Sequence, residues 1–72
     1  MKRYEVHYVE RAGFPGACFD SFEAATDKAA KAEHEPYFNH SANTGHCGIR
    51  IFRISPLGWD SRKCIFKKFW HA

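Results

Sequence analysis

The stretch Asp20-Ser-Phe-Glu-Ala-Ala-Thr-Asp-Lys-Ala-Ala-Lys-Ala-Glu-His-Glu35 decides how the rest of the chain is interpreted. Asp20 is a suitable helix N-cap, and Glu23 follows three residues later, as in a capping box. Pro36 comes directly after the stretch and disfavours helical geometry at Glu35. The sequence therefore predicts one helix over residues 20–35.

The apolar side of this helix is thin. Its members at helical spacing are Phe22, Ala25, Ala29 and Ala32. Such a stripe cannot form a core alone, but its small residues suit close packing on a sheet. The aromatic and β-branched segments on both sides of the helix can provide that sheet.

The N-terminal segment predicts a hairpin. Residues 2–10 alternate, with Tyr4, Val6 and Tyr8 on one side, which is typical of a half-buried strand. Residues 13–16 have turn chemistry, and residues 17–19 predict a short second strand.

The C-terminal segment predicts a second antiparallel hairpin, with strands at 48–55 and 62–70 and a turn at 56–61. In the first strand, Ile49, Ile51 and Arg53 share one face, and Arg50, Phe52 and Ile54 share the other. In the second strand, Cys64, Phe66 and Trp70 oppose Lys63, Ile65, Lys67 and Phe69. Both faces of residues 49–54 are partly apolar, so the pattern leaves open which face the helix covers and whether the other face forms a dimer.

These elements predict a single α+β domain over residues 1–72. The expected architecture is a small two-layer β(β)αββ fold with one helix packed on an antiparallel sheet of three or four strands. Residues 37–48 are rich in Asn, His, Ser and Gly, and they predict a long loop of the kind that often carries function.

Composition favours a folded, cytoplasmic protein. The chain is 44% hydrophobic and 17% aromatic, and it has no apolar run near the roughly 20 residues of a membrane span. The N-terminal residues do not resemble a signal peptide. Cys18, Cys47 and Cys64 show no paired spacing, so we expect reduced, partly buried thiols.

Charge is divided unevenly along the chain. The formal net charge is +3, but residues 1–36 carry a net of −2 and residues 37–72 carry a net of +5. A polarised charge of this kind indicates an anionic partner for the basic half.

The basic half supplies the candidate binding residues. They are Arg50, Arg53, Trp59, Arg62, Lys63, Lys67 and Lys68. Cations interleaved with aromatic rings can neutralise phosphates and stack on bases, as single-strand binders do. The same residue types suit a protein interface or an ordinary solvated face, and the sequence leaves these alternatives open.

Chemical motifs are absent from the sequence. His34, His40, His46 and Cys47 match no zinc-ligand spacing, so no metal or other cofactor is expected. A Cys–His pair such as Cys47 with His46 has no orienting third group in view, and there is no phosphate-binding glycine loop. The chain is expected not to be an enzyme.

The outline of the chain resembles small phage-encoded anti-CRISPR proteins that act on type I systems. The residues that carry the resemblance are the small-residue helix at 21–29 and the run Cys47-Gly-Ile-Arg-Ile-Phe-Arg-Ile-Ser-Pro-Leu-Gly-Trp59 with the basic aromatic strand after it. The resemblance implies a non-enzymatic inhibitor in the host cytoplasm that docks on a CRISPR surveillance complex and blocks its DNA binding. Because the second half is basic, simple mimicry of DNA is not the implied mechanism.

The leading functional prediction is therefore a small binding or inhibitor protein whose partner is a protein complex that handles nucleic acid. The alternative is a module that binds DNA or RNA directly through the basic aromatic hairpin. Neither prediction involves a membrane, and a monomer and a dimer are both compatible with the sequence.

Overall fold

The computed structural model describes residues 1–10 and 19–70. Its elements are β1 (Lys2–Glu10), β2 (Phe19–Ala24), α1 (Asp27–Ala32), α2 (His34–Asn43), β3 (His46–Ser55) and β4 (Gly58–Phe69). The strands form one antiparallel sheet in the order β2-β1-β3-β4, and the helical segment packs on one face. The predicted α+β class and ββαββ order are confirmed.

The core lies between the helical layer and the two central strands, β1 and β3. Its buried members are Tyr4, Val6, Tyr8, Ala24, Ala30, Phe38, Ile49 and Ile51. The side chains of β1 alternate between buried and partly exposed, as their sequence predicted. Ile49 and Ile51 are fully buried, so the helices cover the face that these residues share with Arg53. That point, which the sequence left open, is decided by the packing.

The predicted start of the helix is wrong. Asp20 lies in β2, where it pairs with Val6, and its carboxylate accepts a hydrogen bond from the Tyr8 hydroxyl (2.6 Å). The helical segment begins later, where the Thr26 hydroxyl accepts from the Ala29 amide (3.1 Å). As a strand, residues 19–24 pair their backbone amide and carbonyl groups with β1. A helix N-cap at Asp20 would satisfy only the first amide groups of a helix.

The predicted end of the helix is also wrong. A turn at Glu33 separates α1 from α2, and Pro36 lies in the first turn of α2. A proline is tolerated there because first-turn amides have no intrahelical acceptor. The segment 37–48, predicted as a loop, is therefore mostly helix α2 and the start of β3. The predicted alanine stripe is not the buried one, since Ala30 is buried while Ala29 and Ala32 are exposed.

Strand bounds differ less from prediction. The second strand is residues 19–24 rather than 17–19; residues 17 and 18, and the turn predicted at 13–16, lie outside the described residues. The hairpin between β3 and β4 turns at Pro56 and Leu57 alone, so β3 and β4 are longer than expected.

A bulge in β4 changes the face of its first half. Ile51 pairs with Phe66, but the next residue, Phe52, pairs with Cys64, so Ile65 is the extra residue. Phe66 therefore lies on the covered face, whereas Cys64 lies on the opposite face beside Phe52. The prediction that Cys64 and Phe66 share a face is wrong, because strict alternation cannot anticipate a bulge.

Candidate binding surface on the open face of the sheet

The face of the sheet opposite the helices is called here the open face. Strand alternation and the pairing registers assign its side chains, because cross-strand partners share a face. They are Arg3, Glu5 and His7 of β1, Phe19, Ser21 and Glu23 of β2, Arg50, Phe52 and Ile54 of β3, and Arg62, Cys64, Lys67 and Phe69 of β4.

A row of four partners crosses the open face. The registers set Phe19, His7, Arg50 and Lys67 side by side on β2, β1, β3 and β4. The His7 ring stacks on Phe19 (centroids 5.2 Å apart, planes at 13°) and meets Phe52 edge-on (5.0 Å, 80°). An aromatic cluster on β2, β1 and β3 thus adjoins the cations of β3 and β4.

Two arginines rest on rings of this face. Arg50 Cζ lies 5.6 Å from the centroid of the Phe69 ring, and Arg62 Cζ lies 5.6 Å from the centroid of the Phe52 ring. These are cation–π contacts, which restrict where each guanidinium can lie. A guanidinium supported from one side by a ring can stack on a ligand with its other side.

Gly48 positions one of these pairs. A Cβ atom at Gly48 would collide with the Lys68 carbonyl oxygen, and it would lie 2.7 Å from Phe69 Cα and 2.8 Å from Phe69 Cδ1. Only a residue without a side chain permits this approach of β3 and β4. The Phe69 ring therefore rests against the glycine, and Arg50 rests on the ring.

Most of the cations of the open face lie on β3 and β4. Arg50 and Lys67 are direct cross-strand partners, and neither forms an ion pair with any residue of the described ranges. Glu5, on β1, is instead engaged by His7 Nε2 (3.1 Å). Two like charges placed opposite each other destabilise a sheet slightly, and an anion between them would relieve that repulsion.

The other predicted binding residues lie elsewhere. Arg53 lies on the covered face, where its Nη1 donates to Asp27 Oδ2 (2.6 Å). Lys63 is the cross-strand partner of Arg53 and shares that face. Lys68 is also on the covered face, and its Nζ lies 4.5 Å from the centroid of the buried Phe38 ring. The side chain of Trp59 lies outside the described part of the structure. The predicted set is thus divided between two faces, with Arg50, Arg62 and Lys67 on the open one.

Asp27 shows why Arg53 is a structural residue. Its carboxylate accepts from the Tyr4 hydroxyl (2.7 Å) as well as from Arg53, which ties α1 to β1 and β3. The hydrogen bond from Tyr4 and the charge of Arg53 lower the pKa of Asp27, although partial desolvation opposes them. Burial and the bond to Asp27 raise the pKa of Tyr4 to about 12.

A second polar cluster fixes the end of β4. The Trp70 indole stacks on Phe38 (centroids 4.0 Å apart, planes at 11°), and its Nε1 donates to Ser41 Oγ (2.9 Å). The backbone amide of Trp70 donates to the Cys47 carbonyl (2.8 Å). The indole is thereby directed to the helical side, away from the open face.

Sequence reasoning missed His7 and Phe19 as members of the surface, whereas Phe52 and Phe69 are among the rings that it places between the basic residues. The alternation of β1 contained the signal for His7, because it opposes the buried tyrosines. Phe19 was assigned to a strand that was too short to place it. The role of Phe69 depends on its contact with Gly48, which no local pattern encodes.

The histidines form no metal centre in the described ranges, where no three His, Cys, Asp or Glu side chains converge. His34 Nδ1 contacts the Lys31 carbonyl (2.7 Å), and His46 Nδ1 contacts Thr44 Oγ1 (2.7 Å). Of the cysteines with described positions, Cys47 is half-buried, but Cys64 is exposed rather than partly buried. These side chains are best explained by local hydrogen bonds and packing.

Within residues 1–10 and 19–70, no helix has the length and apolar character that a membrane crossing requires. No protein-family model, curated protein or solved structure matches the chain. The resemblance to anti-CRISPR proteins and the inhibitor function that it implies therefore stay predictions.

Proposed function

We propose that the chain is a non-enzymatic binding module whose open face takes single-stranded nucleic acid. One observation carries the proposal: two arginine-on-ring pairs, Arg50 on Phe69 and Arg62 on Phe52, lie beside Lys67 on the sheet face that the helices leave uncovered. Of the two functions predicted from the sequence, this geometry favours direct nucleic-acid binding.

The chemistry of the surface suits both parts of a nucleotide. Lys67 and the edge of the Arg50 guanidinium group, neither of which forms an ion pair within the described ranges, can neutralise phosphates. The guanidinium planes and the exposed Phe19 ring offer stacking partners to bases, and stacking tolerates any sequence. Bases in a duplex are already stacked on each other, so the surface should prefer an unpaired strand.

A protein partner is the second candidate, and it includes the predicted inhibitor of a CRISPR complex. Phe19 and Phe69 are 53% and 41% exposed, and exposed aromatic residues of this kind also anchor protein interfaces. Lysine, however, is depleted at such interfaces, and Lys67 is the direct cross-strand partner of Arg50 on this surface. The two candidates differ in how strongly binding should depend on salt.

The test is a fluorescence-anisotropy titration of the protein with labelled single- and double-stranded DNA and RNA at about 50 and 200 mM salt. If three phosphates are neutralised, single-strand affinity should fall about 20-fold over this range. A protein interface anchored by rings would change only modestly. Failure to bind any single strand at the lower salt would contradict the proposal and favour a protein partner.

Variants locate the surface. Arg50→Gln and Lys67→Gln should each weaken single-strand binding and lower the slope of log affinity against log salt by about 0.7. Lys28→Gln removes one charge from an exposed position of α1 and should change neither quantity. Binding that is equally strong in all three variants would exclude the open face as the site.

A further inference from the structure

The outer edge of β4 is the longer of the two edges of the sheet. Within the described part of the chain, β4 pairs with β3 alone and no strand lies on its other side. Alternate backbone amide and carbonyl groups of an edge strand point outward, where they can pair with a further strand. Because β4 has 12 residues and β2, the opposite edge, has 6, the β4 edge offers the longer template.

This edge is basic on both sides of the sheet. Residues 61–70 include four cations, Arg62, Lys63, Lys67 and Lys68, and no acid. The three lysines are exposed, and no ion pair of the described ranges engages them. Lys63 and Lys68 lie on the covered side and Lys67 lies on the open side, so a strand added to the edge would meet a cation on either side.

The charge of the edge selects its occupant. Like charges on opposed residues destabilise a pair of strands, so two copies of β4 should not pair with each other. Opposite charges stabilise such a pair, which favours an acidic segment. A phosphodiester also carries negative charge, but it only accepts hydrogen bonds and would leave the outward carbonyl groups of the edge without donors. A peptide backbone supplies both donors and acceptors.

A bulge gives this edge a place for a side chain. Ile65 is the extra residue of the bulge, and Cys64, Ile65, Phe66 and Lys67 line a shallow concavity there. Because all four belong to β4, the concavity opens on the outer side of the strand. Three of the four side chains are apolar, so the concavity suits one apolar side chain of an added strand. In strand addition, backbone hydrogen bonds give affinity and pockets of this kind give specificity.

We propose that the β4 edge binds an extended acidic segment of a partner protein. The segment joins the four-stranded sheet beside β4 and places an apolar side chain at the bulge. This inference does not rest on the proposed function, since it uses the backbone edge of β4 rather than the open face.

The first test is an NMR titration with a capped peptide of alternating glutamate and valine, about eight residues long to match residues 62–69. At about 1 mM, the peptide should shift the backbone amide signals of Lys63, Phe66 and Lys68 and leave those of β2 unchanged. A peptide with lysine in place of glutamate should have no effect, and neither should an acidic peptide in which every backbone nitrogen is methylated. If the acidic peptide shifts no β4 signal, or if the methylated peptide acts equally, strand addition is overturned.

The second test uses variants and the protein alone. Lys63→Glu reverses one charge of the edge and should weaken binding of the acidic peptide about fivefold, whereas Lys28→Glu, at an exposed position of α1, should not. Equal affinity in both variants would contradict an edge that selects acidic segments. Without peptide, the outward amides of β4 should exchange with solvent rapidly at every protein concentration. Protection that rises with protein concentration would assign the edge to a second copy of the chain and overturn the inference.

Discussion

The two faces of the sheet use the same residue types for different purposes. On the covered face, rings and an arginine are buried or bonded: Tyr4 is fully buried, and Arg53 is held by Asp27. On the open face, Arg50 rests on Phe69 and has no acidic partner among the described residues. Residue type alone therefore does not separate structural from binding residues in this chain.

Arg50 and Arg53 show this difference between the two faces within a single strand. They are three residues apart on β3, so alternation places them on opposite faces. The helical layer supplies an acid to Arg53 and supplies nothing to Arg50. An arginine whose charge is satisfied inside the fold contributes to stability, while one supported only by a ring remains available to an anion.

The largest expected effect comes from removing the same apolar side chain on each face. Ile51→Ala, at a fully buried position, should lower the free energy of unfolding by about 3 kcal/mol, because it leaves a cavity between sheet and helices. Ile54→Ala, at a half-buried position of the open face, should cost about 1 kcal/mol. Urea unfolding measures both, and equal losses would contradict the assignment of the core to one face.

Gly48→Ala should disturb the close approach of β3 and β4 on which Phe69 and Arg50 are positioned. The added methyl group meets backbone atoms of β4, which cannot move aside cheaply, so a loss of about 2 kcal/mol is expected together with weaker single-strand binding. Gly45→Ala is the control: its backbone has φ +79°, but its Cβ would meet no atom within 4 Å. That substitution should cost about 1 kcal/mol of strain and leave binding unchanged. Unchanged binding in the Gly48 variant would show that the close approach does not position Arg50.

Tyr4→Phe tests the hydrogen bond between Tyr4 and Asp27 on the covered face by the pH dependence of stability. Loss of the hydrogen bond to Asp27 should cost about 1 kcal/mol at neutral pH. Because folding raises the pKa of Tyr4 from 10 to about 12, its contribution is complete below pH 10 and is lost as the pH rises towards 12. The stability difference between the two proteins should therefore shrink over that interval. A difference that stays constant in urea unfolding between pH 9 and pH 12 would contradict this linkage.

The smallest expected effect on stability comes from Arg50→Gln and Lys67→Gln. Each should change the free energy of unfolding by less than about 1 kcal/mol, since neither side chain forms an ion pair within the described residues and the contact of Arg50 with Phe69 is an exposed cation–π contact. Unfolding in urea measures this, alongside the loss of single-strand binding expected of the same variants. A large loss of stability would place these residues with Arg53 as structural ones.

Much of the fold followed from local pattern. The alternation of β1 predicts that strand and its buried residues, because only one of its faces is apolar. The alternation of β3 predicts the strand but not which of its two partly apolar faces is buried. The helical segment was placed less well. Thr26 and Asp20 are both acceptable caps, and the choice between them depends on whether residues 19–24 pair with β1. Pro36 was interpreted as a stop because the sequence does not reveal a new helix beginning two residues earlier.

The candidate surface was only partly predictable. The basic and aromatic composition of the second half indicated an anionic partner, and three of the seven predicted residues lie on the open face. The other assignments needed long-range information: the acid that engages Arg53 comes from α1, and the bulge at Ile65 shifts the face of the residues before it.

The sequence by itself determined the α+β class, the strands of the sheet and the basic character of its second half, because these depend on residue type and on spacing within short segments. Only the tertiary structure decided which face the helices cover, which arginines are bonded and where Phe69 rests. Those outcomes depend on contacts between residues far apart in the chain, such as Asp27 with Arg53, whose energies no local pattern contains.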